Sequence, residues 1–289
     1  MIAELRRRIE ALGLELSPDM IEGSRALCAA VAAPTDPAVE VTRDHFYGPD
    51  ERHRLDVFRL PATTKAPVLV FIHGGAFIMG DKSAPDSPFY GNVAQWAAQQ
   101  GWIGVALTYR LAPAHRWPSG IEDMALAVGW LRGRIAEFGG DPERIVLIGH
   151  SAGASHVGSY ISHPEYHEGG AIGIAGAIML SGTYDTLDTH RKPGHLSYYG
   201  DDPAVWQAAR MNAGLLAATI PMLFGVSELD GLDYREQAAR IVSDWSEAGR
   251  GFGPVYQLDG HNHGTPAQLI GSVHDTLGPL VRRFMDAHI

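Results

Sequence analysis

Apolar positions along this chain switch between two periods. Within residues 5–16 aliphatic side chains recur at spacings of three and four (Leu5, Ile9, Leu12, Leu16), which is the pattern of a helix with one buried face. Residues 1–32 are therefore predicted to form one or two amphipathic helices. Ser17-Pro18-Asp19 marks a break, because proline fits the first turn of a helix and not its interior. Ala33-Pro34-Thr35-Asp36-Pro37 reads as a turn or short linker. Two alternating segments follow, 39–43 and 55–60, and they predict half-buried strands paired antiparallel at a sheet edge.

The pattern then changes. Continuous β-branched and aromatic runs occupy 68–72, 103–109, 145–148, 177–180 and 222–226, as parallel strands covered on both faces require. Between and after them lie helical stretches at 89–98, 120–138, 152–162 and 234–245, then a strand at 255–258 and a last helix at 267–287. Gly139-Gly140-Asp141-Pro142 supplies a helix stop. Residues 184–219 interrupt the alternation with Tyr184, His195, Tyr198, Tyr199 and Trp206 among polar positions, and read as a lid-like insertion. Strand and helix alternating through short connections predict one α/β domain over residues 1–289, with an open, mostly parallel sheet and helices on both faces.

Composition narrows the partners. The 289 residues carry a formal net charge of −10, and 45% of them are hydrophobic, enough for a substantial core. Apart from Arg6-Arg7-Arg8, a solvated helix face, no basic stripe exists, so no nucleic acid and no membrane surface is expected as a partner. The lone Cys28 has no disulfide or zinc partner and reads as a small buried residue. Residues 1–16 alternate charge with aliphatics, which predicts no signal peptide, and no stretch of 18 apolar residues occurs. A soluble cytoplasmic protein is expected.

In open parallel sheets, ligands bind just past the carboxyl ends of strands. Four loops qualify. Gly149-His150-Ser151-Ala152-Gly153 follows a strand and opens a helix, the pattern of a nucleophile elbow, although in a chain with 34 glycines the motif alone is weak. His73-Gly74-Gly75-Ala76-Phe77 follows an earlier strand. Its glycines let the Gly74 and Gly75 N–H groups converge with that of Ala152 as an oxyanion hole; a plain strand-ending turn is the alternative. A serine needs a base, and the base an orienting acid. Asp230 is the candidate acid, with Glu228 and Asp233 as competitors. Asp259-Gly260-His261-Asn262-His263-Gly264 offers the base. His263 is preferred because it lies deeper in the loop, and His261 is given a solvent-facing supporting role. A His-x-His pair could also ligate zinc with a carboxylate, but no metal is assigned. His163-Pro164-Glu165-Tyr166-His167 lacks the glutamate of a metalloprotease helix and reads as surface. The order Ser151, Asp230, His263 is that of α/β-hydrolases.

Taken together, His73–Phe77, Tyr109-Arg110-Leu111-Ala112-Pro113, Gly149–Gly153 and the Asp230 and His263 loops resemble the α/β-hydrolase esterases. The nearest groups are the hormone-sensitive-lipase-like carboxylesterases and the kynurenine-formamidase-like hydrolases. The resemblance runs from about residue 40 to the C-terminus and also points to His263 as base. It implies an eight-stranded sheet with a small cap built partly from the N-terminal helices (1–35). His150 stands where the lipase-like group usually has aspartate, and Ala114 where it usually has glutamate; His150 before the serine leans toward the formamidase-like side. The implied activity is a cofactor-free serine carboxylesterase acting on short-to-medium acyl or aryl esters. An arylformamidase with the same triad and a non-catalytic ligand-binding protein on a hydrolase scaffold are the alternatives. Phe77, Trp117, Tyr184, Tyr198, Tyr199 and Trp206 are candidates for an aromatic substrate pocket, against ordinary core or cap packing. A small-molecule ester is the expected partner, and a homodimer the candidate assembly.

Overall fold

Eight strands form one sheet in the computed structural model, which describes residues 3–84 and 87–289. Met1 and Ile2 of the predicted N-terminal helix lie outside the described residues. The strands are β1 (Glu40–Phe46), β2 (Arg54–Arg59), β3 (Ala66–Ile72), β4 (Ile103–Leu107), β5 (Gly140–His150), β6 (Gly176–Leu180), β7 (Met222–Leu229) and β8 (Val255–Asn262). Their spatial order is β1-β2-β4-β3-β5-β6-β7-β8. β2 runs antiparallel to both neighbours, and every other pairing is parallel.

Side chains alternate across a strand, so β3 feeds two cores at once. Val68, Val70 and Ile72 pack on one face under α4 (Ser119–Arg134), α5 (Ala152–Ser162) and α9 (Leu232–Glu247). Leu69 and Phe71 point to the other, under α3 (Gly91–Gln99) and α11 (Leu277–His288). This two-sided burial is the reason the central runs are continuously apolar while β1 is not.

At the N-terminus, α1 (Ala3–Glu10) ends earlier than the aliphatic spacing predicts, and Gly13 turns the chain at φ +81°. Leu12 and Leu16 therefore lie outside the helix. α2 (Pro18–Ala29) starts where the sequence puts its break: the Ser17 hydroxyl accepts from the Met20 N–H at 3.2 Å, and Pro18 fills the first turn. Arg6 pairs with Glu228 at 2.8 Å, and the Asn262 amide donates to the Ser24 hydroxyl at 2.7 Å. These contacts tie the N-terminal helices to the ends of β7 and β8.

Residues 184–219 fold as three short helices, α6 (Pro193–Tyr199), α7 (Pro203–Ala208) and α8 (Asn212–Ala217). The predicted helix over 267–287 is interrupted. It forms α10 (Thr265–Leu269) and α11, because Gly271 takes φ +82° and Asp275 draws in the N–H groups of Gly271 at 2.9 Å and Gly278 at 2.7 Å. Among the described residues no helix is long and apolar enough to cross a membrane.

Candidate active site

Ser151 links β5 to α5 with φ +55° and ψ −121°. That conformation costs a residue with a side chain about 1–3 kcal/mol, and it is held by very close packing. A Cβ at Gly149 would stand 2.5 Å from the Gly153 carbonyl oxygen, and one at Gly153 would stand 2.2 Å from that of Ile72. Strand and helix can meet at this angle only with glycine at both positions. The Ser151 N–H donates to the Leu180 carbonyl at 2.8 Å, which fixes the turn against β6.

The Ser151 Oγ lies 2.8 Å from His263 Nε2, and His263 Nδ1 lies 2.7 Å from Asp230 Oδ1. A carboxylate only accepts, so Nδ1 carries the proton and Nε2 offers its lone pair to the serine hydroxyl. Asp230 is itself oriented: its Oδ2 accepts from the Ser181 hydroxyl at 2.6 Å and from the Ser227 N–H at 2.7 Å. Burial alone would raise the Asp230 pKa. The facing His263 and these two donors outweigh it, and hold the carboxyl below its ordinary value.

His150 packs behind His263. Its Nε2–H donates to the His263 carbonyl at 2.6 Å, so its Nδ1 is unprotonated, and that atom has no hydrogen-bond partner. Burial pushes its pKa down to about 3, so the ring is neutral.

The loop after β3 closes the opposite side. A Cβ on Gly74 would lie 3.0 Å from the Ser151 Cβ. Gly75 sits at φ +135°, where a Cβ would meet the Met79 carbonyl oxygen at 1.9 Å. Ala76 and Phe77 follow at φ +50° and +68°. Among the described residues neither the Gly74 nor the Gly75 N–H has an acceptor. The Ala152 N–H opens α5, where a helix leaves its first N–H groups unpaired. His73 Nδ1–H donates to the Gly74 carbonyl at 2.6 Å, and in a trans peptide this directs the Gly75 N–H the opposite way. Burial lowers the His73 pKa to about 4, and its ring stacks on Tyr109 at 4.4 Å. A serine hydroxyl, a histidine bonded to it, an oriented carboxylate and unpaired N–H donors thus meet at one sheet edge, the arrangement that acyl transfer requires.

Residues 69–224, over half of the chain, match the alpha/beta hydrolase fold family. The chain belongs to that family. The chain is similar to Esterase LipC of Mycobacterium tuberculosis, 32% identical over 217 residues, covering 65% of this chain and 51% of that protein. It is also similar to the para-nitrobenzyl esterase of Bacillus subtilis, 37% identical over 133 residues, covering 42% of this chain and 25% of that protein. The chain spans about half or less of the length of the curated relatives it matches. Among solved structures, Esterase B from Lactobacillus rhamnosis has a TM-score of 0.75 at 16% identity, with 99% of this chain and 96% of that one covered. An arylesterase has a TM-score of 0.71 at 17% identity, covering 100% and 99%. At such identities the likeness shows the shared fold.

The cleft at Ser151 spans about 340 Å³, part of it open to solvent, and Leu16, Phe77, Lys192, His195 and Tyr234 are among its walls. Of the aromatic side chains expected there, only Phe77 faces it. Tyr198 stacks on Phe77 at 4.7 Å, while Tyr199 and Trp206 pack together 5.0 Å apart behind it as the core of the cap. Tyr184 is buried edge-on against Phe224 at 5.2 Å, and Trp117 sits edge-on to His163 at 6.1 Å. α6 and α7 bury their aromatics against one another and against Phe77 and Ala152.

Two histidines differ from expectation. His261 is fully buried, with Nδ1 3.0 Å from the Thr265 hydroxyl and Nε2 2.6 Å from that of Thr276. Both ring nitrogens are engaged, so it neither faces solvent nor can join His263 on a metal. His163 is also buried and anchors the end of α5 to α7, with its ring nitrogens 2.7 Å from the Ser159 carbonyl and 3.0 Å from that of Ala208. The competing acids are occupied elsewhere. Glu228 accepts from Arg6 and from the Gly260 N–H. Asp233 pairs with Lys192 at 3.1 Å and accepts from the Thr189 hydroxyl at 3.0 Å. His190, Asp233 and Glu236 lie close enough to ligate a metal together, but Asp233 is already committed to Lys192 and Thr189. Tyr234, stacked on His263 at 4.3 Å, was not anticipated. Its position at the start of the helix after Asp230 was the only signal available.

Proposed function

We propose that this hydrolase is a serine carboxylesterase that cleaves short-to-medium acyl or aryl esters through an acyl-enzyme on Ser151. The continuous hydrogen-bonded chain Ser151–His263–Asp230 carries the reading, with its 2.8 and 2.7 Å links in the orientation that general-base activation needs. Neutral His263 takes the Ser151 proton at Nε2 as Oγ bonds to the ester carbonyl carbon. The oxyanion that forms is received by the N–H groups of Gly74, Gly75 and Ala152, each worth about 10²–10³ in turnover. Its collapse breaks the bond to the leaving oxygen, and His263 returns the proton to the departing alcohol. Water then attacks the acyl-enzyme with His263 again as base, freeing the acid and Ser151. The esterase names of the relatives support the same substrate class.

The small cleft favours short acyl groups over long lipids. A chain-length series of p-nitrophenyl esters should give the highest kcat/KM at short or medium acyl lengths, and a fluorophosphonate should label Ser151. Ser151→Ala should lose labelling and nearly all turnover. If Ser151→Ala kept its activity, the reading would be wrong. Turnover of N-formylkynurenine in place of the esters would move the assignment to an arylformamidase.

A further inference from the structure

We propose that Tyr234 is a positioning residue that carries the His263 imidazolium on its ring face during turnover, and that Lys192, over the same ring, competes with it for that ring. This inference rests on the esterase reading. The Tyr234 ring stacks on the imidazole with centroids 4.3 Å apart and planes 29° apart. The Lys192 ammonium lies over the same ring, 4.3 Å from its centroid. Tyr234 is almost fully buried and lines the cleft with Lys192 beside Ser151. One aromatic ring therefore serves two groups: an ammonium and an imidazole that becomes charged when it takes the serine proton.

An aromatic face attracts a cation more than a neutral ring, so Tyr234 favours His263 in the protonated state it reaches in the transition state. It also blocks the ring from rotating away from Asp230 and Ser151. Lys192 works against it, by drawing on the same π-electrons and by like-charge repulsion. Asp233, 3.1 Å from the ammonium, holds Lys192 in place. The other groups facing His263 are Asp230 at Nδ1 and His150, whose ring centroid is 5.0 Å away. His150 is kept neutral by burial, and Asp230 is unchanged in every variant below. The two perturbations should therefore act through the phenol ring with opposite signs.

The test is the acid limb of kcat/KM, which reports the base in the free enzyme. Tyr234→Leu keeps the cover apolar but removes the π face; the limb should move down by about half a pH unit and kcat should fall about three- to tenfold. Tyr234→Phe keeps the face and removes only the hydroxyl beside Ser151, and it should leave the limb where it is. Lys192→Met, made together with Asp233→Asn so that no buried carboxylate is left unpaired, should move the limb up by about half a unit. A limb that stays put in Tyr234→Leu, or that moves the same way in Tyr234→Leu and this double variant, overturns the inference. Fluorophosphonate labelling of the wild-type chain separates the two levels. A labelled, active enzyme with unmoved limbs defeats only the role given to Tyr234, whereas an unlabelled chain defeats the esterase reading itself.

Discussion

Mild acid should unfold this protein, and the buried histidines set the pH at which it does so. Burial drives His73 and His261 down to about 4, and His150 and His156 down to about 3, from an ordinary value of 6.5. Their folded-state pKa values lie below the unfolded one, so the unfolded chain takes up protons first. Their contribution to stability is complete above pH 6.5 and drains away as the pH falls toward the folded values. Each unit of pH in that window costs about 1.4 kcal/mol per histidine. At pH 5 each therefore favours unfolding by about 2 kcal/mol, which requires only that the folded values stay below 5. Four such groups together rival the entire stability of a typical domain, about 5–15 kcal/mol. Asp275, whose pKa is raised by burial, opposes the trend. Asp230 and Asp123 are held low and add their own losses only at more acid pH. Urea midpoints measured from pH 7.5 to 5.0 should fall steeply below 6.5, with a slope of several protons per molecule. His156→Gln, which removes one of the four, should shallow that slope by about one proton. A slope below one proton in the wild type would refute the reasoning.

Two further outcomes follow from the site. Asp230→Asn leaves His263 without the acceptor that holds its Nδ1 proton, and kcat on a p-nitrophenyl ester should fall by about 10³–10⁴ while the far-ultraviolet spectrum stays native. Gly75→Ala forces a Cβ to within 1.9 Å of the Met79 carbonyl oxygen at φ +135°. It should therefore lower the thermal midpoint and reduce kcat at least 10²-fold by misdirecting an oxyanion donor, and a variant with native kcat would remove Gly75 from the hole.

The sheet was legible because the forces that build it leave a local trace. A strand buried on both faces must be continuously apolar, and 68–72, 145–148 and 177–180 all are. The strands nevertheless run longer than those runs: β7 continues through Ser227 and Glu228, and β8 through His261 and Asn262. Polar residues at these strand ends bond to neighbouring loops and to the N-terminal helices, as Glu228 does to Arg6 and Asn262 to Ser24, so they hide the strand from a pattern based on hydrophobicity. The order of Ser151, Asp230 and His263 could be read for a related reason: sheet edges collect the chemistry. The pocket could not. Tyr184, Tyr199 and Trp206 are as aromatic as Phe77, and which of them meets Ser151 depends on how helices of six or seven residues dock. Elements that short have no period to read. His261 and His263 differ by two positions, and only the hydroxyls of Thr265 and Thr276 decide that the first is held inside the protein.

The Arg6–Glu228 pair and the presence of Leu16 in the cleft wall bear on how the site reassembles after denaturation. The site draws on Leu16, Gly74, Ser151, Asp230 and His263, so its completion requires loops to close over more than 200 residues of chain. Contacts at such separation form late, because the entropy of closing long loops is met only after nearer contacts exist. Ester turnover in a refolding experiment should therefore lag behind the recovery of secondary structure, and would report the docking of the chain's first helices as much as the formation of its sheet.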